Sequence, residues 1–120
     1  MNIIIVDDEA MIEPIFQLHF RQEIANQKVH LHFFQSPKKA LIFCCENTIS
    51  LLITDVNMPE MSGYALVENL KKKGFSAPIF MITAYQDEET ERKAKELGVT
   101  AFFTKPVDLK ELKIRILALA

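Results

Sequence analysis

The sequence predicts an α/β fold: a doubly wound (βα)5 chain with a five-stranded parallel sheet. Three observations point there. Apolar runs of strand length alternate from end to end with segments of helical periodicity. The runs 3–6, 51–54 and 79–82 are almost continuously apolar, as strands covered on both faces are. Four of the five runs also end in a polar group: Asp7 and Asp8 after the first, Asp55 after the third, Thr83 after the fourth, and Lys105 after the fifth. Parallel strands bring their carboxyl ends to one edge, where open α/β sheets bind ligands. Core packing alone does not demand that regularity.

The elements follow in order. Ile3, Ile4, Ile5 and Val6 form the first strand. A helix is expected over 10–25, with Met11, Ile12, Ile15, Phe16, Leu18 and Phe20 on a broad apolar face. Pro14 falls inside it and takes a hydrogen bond from the Ala10 carbonyl, so the helix either starts late or kinks there. The run 29–34 alternates apolar residues with His30 and His32, which suits an edge strand. Ser36 then caps a helix with Pro37 at its first position, running to about Cys45. After the strand 51–54, Ser62 caps a helix that Gly74 ends. Beyond the strand 79–82, the segment 86–97 is strongly charged and stops at Gly98. Its run 87–96 reads as a solvated helix face, supported by Glu91 and Lys95 at i, i+4. With few apolar anchors it is also expected to be mobile. In the strand 101–104, alternation sends Phe102 and Phe103 to opposite faces. Asp108 caps a last helix carrying Leu109, Leu112, Ile116 and Leu119.

Composition narrows the function. A chain of 120 residues fits one domain, 1–120. The formal net charge of −2 argues against a sequence-independent nucleic-acid binder. No apolar stretch approaches the ~20 residues that span a bilayer. Acidic residues come too early for a signal peptide. The only cysteines, Cys44 and Cys45, are adjacent, so they build no disulfide framework and read as reduced thiols of a cytoplasmic protein. Glu46 beside them disfavours a reactive thiolate. His19, His30 and His32 have no metal-ligand spacing and read as helix-surface or edge-strand residues.

The strand ends carry the chemistry. If the first and third strands are neighbours, Asp7, Asp8 and Asp55 meet, and their mutual repulsion calls for a counter-charge. A hard divalent cation such as Mg2+ suits carboxylate and carbonyl oxygens and keeps waters that phosphate oxygens can replace. Lys105 adds a point charge for a phosphoryl group, and Thr83 a hydroxyl donor. A carboxylate nucleophile, a metal and two stabilisers of phosphoryl oxygens are the parts that phosphoryl transfer needs.

With these residues in place, the strings IIIVDDE, LLITDVNMPEMSG, Thr83-Ala84 and FFTKP resemble the receiver domain of two-component response regulators, of the stand-alone CheY-like kind. The resemblance covers essentially the whole chain. It implies a flavodoxin-like sheet in the order 2-1-3-4-5. It also implies roles. Asp55 accepts the phosphoryl group. Asp8, Asp55 and the backbone carbonyl of Asn57 ligate Mg2+, and Asp7 acts through water; Mn2+ or Ca2+ can take the same place in a crystal. Lys105 binds a phosphoryl oxygen, and the bond to Pro106 is cis. Thr83 and Phe102 form the switch; the family often has Tyr at the latter position, and Phe102 lacks that hydroxyl. Asn57 and Tyr85 flank the approach of the hydrolytic water, and an inward-turned Tyr85 ring screens the phosphoryl group. Truncating Tyr85 to Ala is therefore expected to shorten the acyl-phosphate lifetime, measured as decay of the phosphorylated protein.

The implied partners are a sensor histidine kinase or a histidine phosphotransfer protein, and a downstream protein on the face of the fourth helix, fifth strand and fifth helix. No direct nucleic-acid or membrane contact is expected. The chain ends with its last helix, so output is expected from a partner surface, from relay, or from a domain outside this chain. Two other readings compete. A Mg2+-dependent phosphatase with an aspartyl-phosphate intermediate needs a second carboxylate two residues after the nucleophile, where Asn57 stands. A scaffold that is never phosphorylated would be favoured by loss of an acidic residue, Thr83 or Lys105, and all are present.

Overall fold

The computed structural model describes residues 1–85 and 87–120; Gln86, the first residue of the charged segment 86–97, lies outside the described residues. The strands are β1 (Asn2–Val6), β2 (His30–Phe34), β3 (Leu51–Asp55), β4 (Ile79–Thr83) and β5 (Ala101–Thr104). They form one parallel sheet in the order β2-β1-β3-β4-β5. The helices are α1 (Ile12–His19), α2 (Arg21–Ala25), α3 (Pro37–Glu46), α4 (Gly63–Lys72), α5 (Glu88–Glu96) and α6 (Leu109–Leu117). The fourth and fifth helices expected from sequence are therefore α5 and α6.

Because side chains alternate across a strand, the apolar strands feed two cores. Ile3, Ile5, Ile53, Phe80 and Ile82 pack with Phe16 and Phe20 and with Leu112 and Ile116 of α6. Ile4, Val6, Leu52, Ile79 and Met81 pack with Ala40 of α3, Leu66 and Leu70 of α4, and Ala94 of α5. The caps are local and lie where sequence places them. Ser36, Ser62 and Asp108 accept backbone N–H groups of α3, α4 and α6. Gly74 follows α4 in the left-handed conformation, φ 88°. On α5, the Glu91–Lys95 pair is joined by Glu89–Lys93 and Arg92–Glu96.

The first helix takes one of the two outcomes that Pro14 allowed, and it departs from the single span expected over 10–25. It starts late: Glu13 N–H bonds the Ala10 carbonyl at 3.4 Å, so Pro14 lies in the first turn, where a missing donor costs little. It is also divided at Phe20, whose φ of −103° and ψ of 15° separate α1 from α2. The broad apolar face is only partly buried. Phe16 and Phe20 enter the core, whereas Met11 is 70% and Leu18 66% exposed, and Ile15 is exposed as well. The stripe is wider than the strip of sheet that α1 covers.

The α1–α2 junction is tied to the far end of the chain. Lys113 Nζ on α6 donates to the His19 carbonyl at 2.9 Å, lies 3.0 Å from Glu23 Oε1, and sits 5.6 Å from the Phe20 ring centre. The Lys113 ammonium beside it holds the Glu23 carboxyl below its ordinary value of 4.5. A depressed folded-state pKa stabilises above that ordinary value, and the contribution is lost as pH falls through the lowered one. Lys113→Met is therefore expected to lower Tm at pH 7, by a margin that shrinks at pH 3. An equal margin at both pH values would mean that the Glu23 ion pair contributes nothing.

Candidate functional site

The sheet register assembles the site. Val6 pairs with Thr54 and Asp55 with Ile82, so the residues leaving β1, β3 and β4 emerge side by side. Asp7 continues the ladder through its N–H to the Phe34 carbonyl at 3.0 Å. It is only 4% exposed, and Asp55 only 6%, while Asp8 reaches solvent. One carboxylate oxygen from each of Asp7, Asp8 and Asp55 lies within 4.8 Å of the other two. From the end of β5, Lys105 Nζ reaches Asp55 Oδ2 at 2.7 Å, Asp7 Oδ2 at 3.6 Å and Glu9 Oε1 at 4.0 Å. Thr83 ends β4 and is fully buried; its Oγ1 accepts the Tyr85 N–H at 3.1 Å, and its carbonyl accepts the Lys105 N–H at 2.7 Å.

Burial raises the Asp7 carboxyl above its ordinary value, against the Glu9 N–H bond and the Lys105 charge, which lower it. Burial also works against the Lys105 ammonium. The hydrogen bond and charge of Asp55, with the charges of Asp7 and Glu9, outweigh it, and the Lys105 pKa is raised. One cation among crowded acids leaves net negative charge at the strand ends. Three carboxylates presenting hard oxygen donors at this spacing could hold a divalent metal ion.

Residues 3–117 match the family model described as the response regulator receiver domain. The chain belongs to that family. The receiver is 32% identical over 117 residues to the cyclic di-GMP phosphodiesterase response regulator RpfG of Xanthomonas campestris, covering 96% of this chain and 30% of the relative. It is 32% identical over 115 residues to the response regulator SaeR of Staphylococcus aureus, covering 96% of this chain and 48% of SaeR. The chain thus spans half the length, or less, of these curated relatives. In fold it resembles the Francisella response regulator 1452 receiver domain, with a TM-score of 0.88, 23% identity, and coverage of 98% of this chain and 94% of that one. The BeF3-activated DrrB receiver domain matches at a TM-score of 0.84 and 23% identity, covering 98% and 95%. The chain is therefore a receiver domain of the response-regulator family with the flavodoxin-like strand order.

The remaining expected residues of the receiver are Asn57, Pro106, Phe102 and Tyr85. Asn57 N–H donates to Asp55 Oδ1 at 3.3 Å, placing the loop after β3 against the carboxylate. The Lys105–Pro106 peptide is cis. Phe102 and Phe103 face opposite cores, as alternation requires. Phe102 is half-buried and lines a groove of about 450 Å³ with Glu91, Ala94 and Thr104, away from the carboxylates. Tyr85 is 60% exposed.

Two residues at the centre had no role assigned from sequence. Glu9 faces Lys105, and its N–H donates to Asp7 Oδ1 at 2.9 Å; the third acid of the string IIIVDDE was the available signal. Gly63 packs against the backbone of Asp55 so closely that a Cβ would overlap the Asp55 carbonyl oxygen. A glycine directly after a helix cap, where better helix formers fit, was the signal there.

Proposed function

We propose that Asp55 is the phosphoacceptor of a receiver spanning residues 1–120, with no separate enzymatic activity. It takes a phosphoryl group from a histidine kinase or histidine phosphotransfer protein in the cytoplasm. The observation that carries this is the Lys105 ammonium 2.7 Å from Asp55 Oδ2, beside Asp7 and Asp8. An Asp55 oxygen attacks phosphorus, the P–N bond to imidazole breaks, and an acyl phosphate forms. The incoming group needs positive charge around its oxygens. Lys105 supplies it by moving from the carboxylate to a phosphoryl oxygen. Thr83 accepts from Tyr85 N–H and keeps its own hydroxyl proton to donate.

Asp8, Asp55 and the Asn57 carbonyl would hold Mg2+, with Asp7 acting through water. When bound, Mg2+ offsets the carboxylate repulsion and adds charge at the phosphoryl oxygens. Asn57 and an inward-turned Tyr85 would then tune hydrolysis.

Readout would fall on the face of α5, β5 and α6. The Thr83 carbonyl is bonded to the Lys105 N–H, so movement of Thr83 bears on β5, where Phe102 packs toward α5. α5 buries only Ala94, and its exposed ion pairs are internal to the helix and do not tie it to the sheet, so it shifts at little cost. Beryllofluoride with Mg2+ is expected to shift NMR resonances over 84–105 more than those over 36–46. Shifts confined to the acidic cluster would overturn the output face, and the absence of any shift would overturn phosphoacceptance.

A further inference from the structure

The short loop between β2 and α3 touches both of the loops that carry the acidic site. Gln35 Nε2 donates to the Asp8 carbonyl at 3.4 Å. Ser36 Oγ donates to Glu60 Oε1 at 2.8 Å and at the same time accepts the Lys39 N–H at 3.3 Å as the cap of α3. Glu60 stands in the loop that runs from Asp55 through Asn57 to α4. Its φ of 73° is a left-handed conformation that a residue with a Cβ holds only when its surroundings impose it. That loop is closed at its base by the Gly63 N–H to the Val56 carbonyl at 2.7 Å. Its middle is held from outside by Ser36.

We propose that Gln35 and Ser36 are positioning residues for the divalent cation, bracing the Asp8 loop and the Asn57 loop from the short loop that leads into α3. Neither side chain is a ligand. The inference rests on the reading that Asp8, Asp55 and the Asn57 carbonyl hold Mg2+. A small cation with strict coordination geometry loses affinity when its ligands must first be ordered. Hydrogen bonds behind the ligands remove that cost, and their loss is felt in metal affinity. Ser36 suits the task because its hydroxyl donates and accepts at once. The α3 cap and the Glu60 tie therefore use the same oxygen.

The test is Mn2+ binding to the full chain, measured by electron paramagnetic resonance of the free ion. Ser36→Ala and Glu60→Ala are each expected to raise the Mn2+ Kd about fivefold, the effect of one hydrogen bond. Ser36→Ala loses the cap and the tie, whereas Glu60→Ala loses the tie alone. The double variant should bind no worse than the weaker single one, because both remove the same bond. Ser36→Thr should restore binding, and Gln35→Ala should raise Kd by less, its bond being long. A merely structural role would lower the Tm of the metal-free variants and leave the Mn2+ Kd unchanged, which overturns the brace. If the wild type binds no Mn2+, or Asp8→Ala binds it as well, the reading of the acidic cluster fails and the brace fails with it.

Discussion

Asp55→Asn is expected to abolish labelling by acetyl phosphate and Mg2+, read as the loss of one added phosphoryl group in the intact mass. The amide keeps the shape of the carboxylate and removes its nucleophilic oxygen. The other carboxylates are not expected to substitute. Asp7 is as deeply buried, but burial raises its pKa, and Lys105 lies 3.6 Å from it against 2.7 Å from Asp55. Asp8 is open to water. The fold should survive, since Lys105 keeps Asp7 and Glu9 as partners and one of three crowded charges is gone. Labelling of the Asn variant to the wild-type extent would move the phosphoacceptor elsewhere.

Gly63→Ala is expected to be the most damaging alanine substitution among the three glycines of the chain. The new methyl would overlap the Asp55 carbonyl oxygen and stand 3.0 Å from both the Asp55 carbonyl carbon and the Val56 Cα. These are backbone atoms at the end of a buried strand, so they cannot swing aside as a side chain does. Either α4 lifts from the sheet, uncovering Leu66, Val67 and Leu70, or the end of β3 moves. Overpacking of this kind costs about 3 kcal/mol or more. The expected result is a denaturation midpoint far below wild type, with labelling impaired because Asp55 itself is displaced. Gly74→Ala is the matched comparison. Nothing lies within 4 Å of its Cβ position, and only its φ of 88° resists a side chain, so about 1 kcal/mol is expected. Equal midpoints for the two variants would contradict the close packing of α4 on β3.

Much of the site is legible in the amino-acid sequence, because the informative residues sit at element ends. Asp7, Asp55, Thr83 and Lys105 each close an apolar run, and a strand's carboxyl end is visible in one dimension. Ser36, Ser62 and Asp108 cap helices through groups two or three residues away, so their roles are also local. The late start of the first helix was one of two outcomes that Pro14 allowed. The strand order was legible only through the family resemblance, since alternation of strands and helices is compatible with other orders.

Other features could not be read in this way. The stripe of Met11, Ile15 and Leu18 looks like core by periodicity, yet it lies outside; how much of a helix the sheet covers depends on where its neighbours stop. Glu9 becomes a partner of Lys105 only because β1 and β5 deliver their ends to the same edge. Ser36 meets Glu60 across 24 residues of chain, Lys113 meets the His19 carbonyl across 94, and Gly63 is pressed against Asp55 by the return of α4 onto the sheet. Periodicity, caps and strand ends are properties of side chains a fixed few residues apart, so the chain states them directly. Contacts between loops depend on register, twist and helix placement, which exist only once distant segments have packed.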